Sequence, residues 1–189
     1  MSTWLVVGLG NPGKEYATTR HNIGYVVVEE LASRFGTGFA KHRRAHADSA
    51  DGRLDGERIE LLRSRSYMNE SGGPAKAAAD YAKVPIDRII VVQDELDIPF
   101  GAIRIKVGGG DGGHNGIKSI KKAFGSGDFT RIRIGIDRPP GRQDPADYVL
   151  RPFSSNDRRE LPGVVAAAAD AVEAVITDGI AAAQNRYHS

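Results

Sequence analysis

The sequence predicts an α/β fold, a single domain over residues 1–189 with a twisted mixed β-sheet flanked by helices on both faces. Two observations point there. Short apolar runs ending in glycine or carboxylate loops alternate with longer segments whose apolar residues recur at helical spacing. Two further runs, 102–107 and 131–136, alternate apolar with basic or small residues, as antiparallel or edge strands do. The 189 residues suit one compact domain, and 40% hydrophobic with 26% charged residues excludes a disordered chain.

Trp4-Leu5-Val6-Val7 before Gly8 reads as a buried strand. From Asn22 to about Phe35, Ile23, Val26, Val27 and Leu31 recur at helical spacing and Gly36 stops the helix. Between Phe39 and Arg63 the pattern is weak, with Asp51-Gly52 and Asp55-Gly56 as turns between two short strands. Ser71 to Lys83 is an Ala-rich helix ended by Val84-Pro85, because the residue before proline avoids helical backbone. Arg88 to Val92 is a central strand delivering Gln93-Asp94-Glu95, and Ala102 to Val107 is an edge strand. The Gly108–Gly116 loop opens a basic helix to about Phe124, then comes the strand Arg131 to Ile136. A long Ala/Val helix from about Asn156 to Thr177 follows the loop at Pro139-Pro140-Gly141, with Pro162 in its first turn or marking its start. A short helix after Gly179 closes the chain.

The net charge of +2 says little about partners, but its distribution says more. Residues 101–151 hold ten basic side chains against five acidic ones, whereas the flanking stretches are slightly acidic. Such a block attracts polyanions, although solvated surface charge explains it equally well. No apolar run approaches the ~20 residues of a membrane span, and the first residues lack the pattern of a signal peptide, so the expected location is the cytoplasm.

Several chemistries drop out. With no cysteine, thiol catalysis and thiolate metal sites are excluded, and no Gly-x-Ser-x-Gly elbow offers a serine nucleophile. Gly8-Leu9-Gly10-Asn11-Pro12-Gly13 matches a dinucleotide fingerprint in form, but Pro12 lacks an amide and the next helix starts about ten residues late. His42 and His46 have i, i+4 spacing without a supporting carboxylate pattern, so a metal role is disfavoured. His21, at a helix start, and Asp94, past a central strand, remain as a possible base and its orienting carboxylate. Taken singly, His21 is more often a cap and Asp94-Glu95 equally a turn. Asparagines at loop edges could polarise a carbonyl, which suits hydrolysis of an ester with a good leaving group.

Longer motifs go further. Val6–Gly13 with Tyr16 and Thr19-Arg20-His21-Asn22, then Tyr67-Met68-Asn69-Glu70-Ser71-Gly72, Asp94-Glu95-Leu96-Asp97 and Gly108–Gly116, resemble bacterial-type peptidyl-tRNA hydrolase. So do Arg131–Ile136 and Gln184-Asn185-Arg186, in order over essentially the whole chain. The resemblance implies a cofactor-free, metal-free esterase acting on the bond between a peptide and the 3′-terminal ribose of tRNA. His21 would be the general base and Asp94 the group that fixes its tautomer. Asn11 would distinguish blocked peptidyl from free aminoacyl ends. Asn69 and Asn115 would bind the substrate backbone and terminal adenosine, with Tyr16, Tyr67, Met68 and His114 lining the cleft. Lys106 and Arg133 would clamp the tRNA 5′-phosphate. Gln93, Asp111 and Asp137 are residues not always seen in the family, and Asp111 puts a negative charge in the anion-facing loop. A monomer is expected. The alternative is a non-catalytic RNA-binding protein on the same fold, which the retained His21, Asp94 and three asparagines disfavour.

Overall fold

The computed structural model describes residues 2–187. Seven strands form one mixed sheet: β1 (Thr3–Gly8), β2 (Ala40–Lys41), β3 (Ala47–Leu54), β4 (Glu57–Ser64), β5 (Ile89–Glu95), β6 (Ile103–Val107) and β7 (Thr130–Gly135), in the order β2-β3-β4-β1-β5-β7-β6. β4, β1, β5 and β7 run parallel, while β3 and β6 pair antiparallel at the two sides. Four strand C-termini therefore open on one edge, where α/β sheets gather their functional loops.

Alternation along the strands divides the core into two halves. Val6, Ile90, Val92, Ile132 and Ile134 pack against α1 (Ile23–Arg34), α5 (Ser155–Asp178) and α6 (Ile180–Arg186). On the other face Leu5, Val7, Ile89 and Val91 pack against α2 (Gly72–Ala82) and α3 (Asn115–Phe124). Strands buried on both faces need apolar residues at every position, which is why β1 and β5 read as unbroken apolar runs. The sequence expectation of helices on both faces holds.

Two local expectations differ, and one element is new. Asp55-Gly56 is the hairpin turn, with Asp55 at φ 53°, but Asp51-Gly52 lies inside β3, paired with Glu60 and Ile59. Gly52 belongs there because a Cβ would stand 2.5 Å from the Phe35 ring. Pro162 sits eight residues into α5, beyond its first turn, and Ser154 caps the helix by accepting from the Asp157 amide. The cap and the buried Ala/Val face sustain the helix across a residue that lacks the donor for one intrahelical bond. A one-turn helix, α4 (Pro145–Tyr148), lies between the Pro139–Gly141 loop and α5, where the sequence predicts no element.

The first glycine loop is explained by packing. A Cβ on Gly8 would stand 2.3 Å from the Gly24 carbonyl oxygen, and one on Gly24 would stand 2.5 Å from Val92 O and the Leu9 nitrogen. α1 thus crosses the end of β1 backbone to backbone, which only glycine allows. Gly24→Ala is expected to destabilise the fold by about 1–3 kcal/mol or more, since the obstacle is main chain that cannot swing aside. Denaturant midpoints measure this, and an unchanged midpoint would contradict the close crossing.

Candidate active site

Most of the cleft residues sit at the C-terminal ends of parallel strands, while His114 and Asn115 follow the antiparallel edge strand β6. β1 ends in Leu9-Gly10-Asn11, β4 leads to Tyr67-Met68-Asn69, and β5 carries Asp94 in its last turn of register. His21 comes from the short 3-10 turn Arg20–Asn22 just ahead of α1. Its amide donates to Val149 O and that of Arg20 to Arg151 O, so the turn is tied to the segment after α4. Arg20 stacks on the Tyr148 ring at 3.8 Å and donates to the Tyr148 carbonyl, which fixes the turn from behind.

At the centre Asp94 is 2% exposed and lies between two imidazoles. His21 Nδ1 meets Oδ2 at 2.8 Å, and His114 Nε2 meets Oδ1 at 2.8 Å. An ionised carboxylate only accepts, so each facing nitrogen carries its proton. The neutral ring of His21 therefore keeps a lone pair on Nε2, the form a general base needs. Burial works to lower the His21 pKa, but the charge of Asp94 and its hydrogen bond outweigh burial, and the net shift is upward. Burial likewise works to raise Asp94, yet the two imidazoles and their hydrogen bonds hold it well below the usual carboxylate range.

A neutral amide network builds the adjoining wall. Asn11 N donates to Asn22 Oδ1 at 2.8 Å, and Asn22 Nδ2 donates to Asn11 O at 2.9 Å. Met68 N donates to Asn11 Oδ1 at 2.7 Å. Among the described residues Asn11 Nδ2 makes no hydrogen bond, so the network leaves one donor for a ligand. Asn22 reads from sequence as a helix start and as part of the motif around His21, with no role in the site until the fold sets it against Asn11. Met68 is 4% exposed and supports the floor with Leu9 and Ile117, whereas Tyr67 is 53% exposed and meets Tyr16 edge to face at 6.2 Å.

Two concavities share Asn115. One, of about 300 Å³, is lined by His21, Asp94, His114, Asn115 and residues 144–146. The other, of about 570 Å³, holds Asn69, Asn115, Lys118 and Lys122. A larger apolar groove between α1 and α5 has none of the candidate residues in its walls.

The register of β6 and β7 sets Lys106 opposite Arg131 and Arg104 opposite Arg133. Directly opposed and alternate residues share a sheet face, so four cations line one face beside the glycine loop. Arg131 is buried; its Nε donates to Gln93 Oε1 at 2.8 Å, and its Nη1 to Gly110 O at 2.7 Å. Lys121 Nζ reaches Gly109 O at 3.1 Å. Arg131 is thus a loop anchor that the sequence could not distinguish from Arg133. Asp111 accepts from the Gly113 amide at 2.8 Å and its backbone carbonyl accepts from His114 N, so it shapes the turn.

His21, Asp94 and His114 are the one set among the described residues whose donor atoms, within 4.8 Å of each other, could hold a metal ion. Both nitrogens nearest the carboxylate carry protons aimed at it, so a cation would have to break both hydrogen bonds. His42 accepts from the amides of Arg44 and Ala45 through Nδ1 and meets Glu60 through Nε2 at 3.1 Å; it caps a turn and leaves no nitrogen to pair with His46. Burial pushes Glu60 up to about 7. In the first glycine loop, Leu9 N donates to Val92 O and Asn11 N to Asn22, so these amides are not free to hold a pyrophosphate.

The sequence model for peptidyl-tRNA hydrolase matches residues 5–189. The chain belongs to the peptidyl-tRNA hydrolase family. It is 58% identical over 186 residues to the peptidyl-tRNA hydrolase of Frankia casuarinae, covering 98% of this chain and 94% of the relative. With the one from Nocardia farcinica it shares 55% over 184 residues, covering 97% and 95%. The crystal structure of peptidyl-tRNA hydrolase from Acinetobacter baumannii matches with a TM-score of 0.91 at 35% identity, covering 99% of this chain and 95% of that one. The fold expected of a peptidyl-tRNA hydrolase is therefore the fold found.

A titration tests the electrostatics of this site. The His21 ring should titrate above its ordinary value of about 6.5 in the wild type. In Asp94→Asn the raising influence is gone and burial remains, so the ring should titrate below it. Ring resonances followed by NMR against pH decide; equal titration in both proteins contradicts the coupling.

Proposed function

We propose that this chain hydrolyses the ester between the carboxyl end of a peptide and the 3′-terminal ribose of tRNA, recycling tRNA from prematurely released peptidyl-tRNA, by means of a water activated by His21. The observation that carries the mechanism is the 2.8 Å contact of His21 Nδ1 with buried Asp94, which leaves Nε2 basic and facing the cleft. Nε2 takes a proton from water as the oxygen attacks the ester carbonyl, and the imidazolium then returns it to the departing 3′-oxygen. Asp94 holds the ring in the required tautomer and stabilises the transient cation. The ribose hydroxyl is a workable leaving group, so no covalent enzyme intermediate is needed.

Asn11 Nδ2 would donate to the amide carbonyl present in blocked peptidyl ends and absent from free aminoacyl ends. Asn69 and Asn115 would take the substrate backbone and the terminal adenosine, with Tyr16 and Tyr67 at the mouth of the cleft. Lys106 and Arg133 would clamp the 5′-phosphate, a role supported by their shared face and the lack of any carboxylate within ion-pair range of either among the described residues. Residues 1–189 work as one domain and as a monomer in the cytoplasm on this reading. Two core halves closing on one sheet support it, and no described helix is long and apolar enough to cross a membrane.

His21→Ala should lower release of tRNA from an N-acetylated aminoacyl-tRNA by about 10²–10⁴-fold, while tRNA binding persists. Asp94→Asn should cost less, because the base itself remains. Full activity of His21→Ala would sink the mechanism, and the unblocked aminoacyl-tRNA is the control for substrate choice. The double substitution Lys106→Ala/Arg133→Ala should weaken binding of full tRNA and flatten its log–log salt dependence by about one unit per lost phosphate contact. A short 3′-end mimic should be hydrolysed as before; equal losses on both substrates argue against a 5′-phosphate clamp.

A further inference from the structure

We infer that His114 is a positioning residue that joins the first turn of α3 to the catalytic carboxylate, and that it does so by keeping one tautomer, with Nδ1 bare and Nε2 protonated. This rests on the reading of His21 as the base and departs from a role for His114 in contacting substrate.

Three bonds define the arrangement. His114 precedes α3 with an extended backbone (φ −72°, ψ 116°), and its Nδ1 accepts from the amides of Gly116 at 3.1 Å and Ile117 at 3.4 Å. A helix leaves its first amides without internal partners, and a side-chain acceptor at the preceding residue satisfies them. Here an imidazole does the work usually left to Ser, Thr, Asp or Asn. A nitrogen that accepts two amide protons carries none of its own, so the ring proton must be on Nε2. That proton points at Asp94 Oδ1 at 2.8 Å.

The consequences run in both directions. With both nitrogens engaged and only 9% of the side chain exposed, His114 has no polar atom to offer a substrate. Its donation occupies Oδ1 and leaves Oδ2 turned to His21, so the carboxylate is held at both ends and cannot rotate away. The two rings stand 5.0 Å apart, each fixed by the same carboxylate. Asn115, the next residue, opens α3 and lines both concavities, so the same cap sets the base and a candidate substrate amide in one frame.

Two amides mimic the two halves of this ring. The oxygen of asparagine falls near Nδ1, and the nitrogen of glutamine falls near Nε2. His114→Asn should therefore keep the cap and lose the hold on Asp94, while His114→Gln should keep the hold and lose the cap. For His114→Asn we expect a melting temperature near wild type, KM within about threefold and kcat lowered about tenfold or more. For His114→Gln we expect a lower melting temperature, with kcat several-fold above that of His114→Asn. In an Asp94→Asn background the His114→Asn change should add less than about threefold, because residues acting through one another are not additive.

Equal kcat in the Asn and Gln variants, a loss confined to KM, or a full multiplicative loss in the Asp94→Asn background would each overturn the inference. The ¹⁵N shifts of the His114 ring give a readout independent of turnover: a protonated Nδ1 also overturns it, and a protonated Nε2 supports it. Wild-type and His21→Ala rates, taken in the same assay, report separately on the reading of His21.

Discussion

A carboxylate sealed from water constrains everything around it. Asp94 keeps its charge only because two ring N–H groups replace the solvent it has lost. Once that requirement is met, each imidazole is left with one bare nitrogen, and the two are used differently. One faces the cleft, and the other accepts the first amides of a helix. The base, the opening of α3 and the end of β5 are therefore solved together, and a shift in any of them is felt by the others.

The sheet supplies what this arrangement needs. Parallel neighbours bring the ends of β1, β4 and β5 side by side, so residues far apart in the chain meet without long loops. The close crossing of α1 over Gly8 brings the turn holding His21 onto the end of β5, where His21 meets Asp94 across 73 residues of chain. Neutral amides then finish the wall, with Asn22 holding Asn11 at both its amide and its carbonyl.

Much of this was legible before any coordinates. Apolar runs gave away β1 and β5 because both faces of those strands are covered, and the alternating basic run gave away β6 because one of its faces is not. His21 and Asp94 could be nominated from their places at element ends, and the longer motifs assigned them roles. What stayed hidden depends on contacts between distant segments. Asp51-Gly52 has the composition of a turn, but the Phe35 ring claims the space above Gly52 and the strand continues. Arg131 and Arg133 are alike in sequence, and only the fold buries one under the glycine loop. Pro162 looks like a helix start, yet the apolar face of α5 carries the helix past it. A histidine serving as a helix cap has no sequence signature, and here the neighbouring Asn115, a residue type that usually marks a cap, is the first residue of the helix instead.

The row of cations on β6 and β7 has a second consequence. β6 is the last strand of the sheet, and an uncovered last strand invites another copy of the chain to extend it. Part of that edge is already occupied: the Gln184 side chain donates to the Ile105 carbonyl, and the Ile105 amide donates to the carbonyl of Tyr187. Arg104 and Lys106 stand on either side of that residue and would face their own counterparts in any second copy laid along the strand. Lys106, proposed to hold the tRNA 5′-phosphate, thus also opposes aggregation, so removing it together with Arg104 would expose the molecule to edge-to-edge growth.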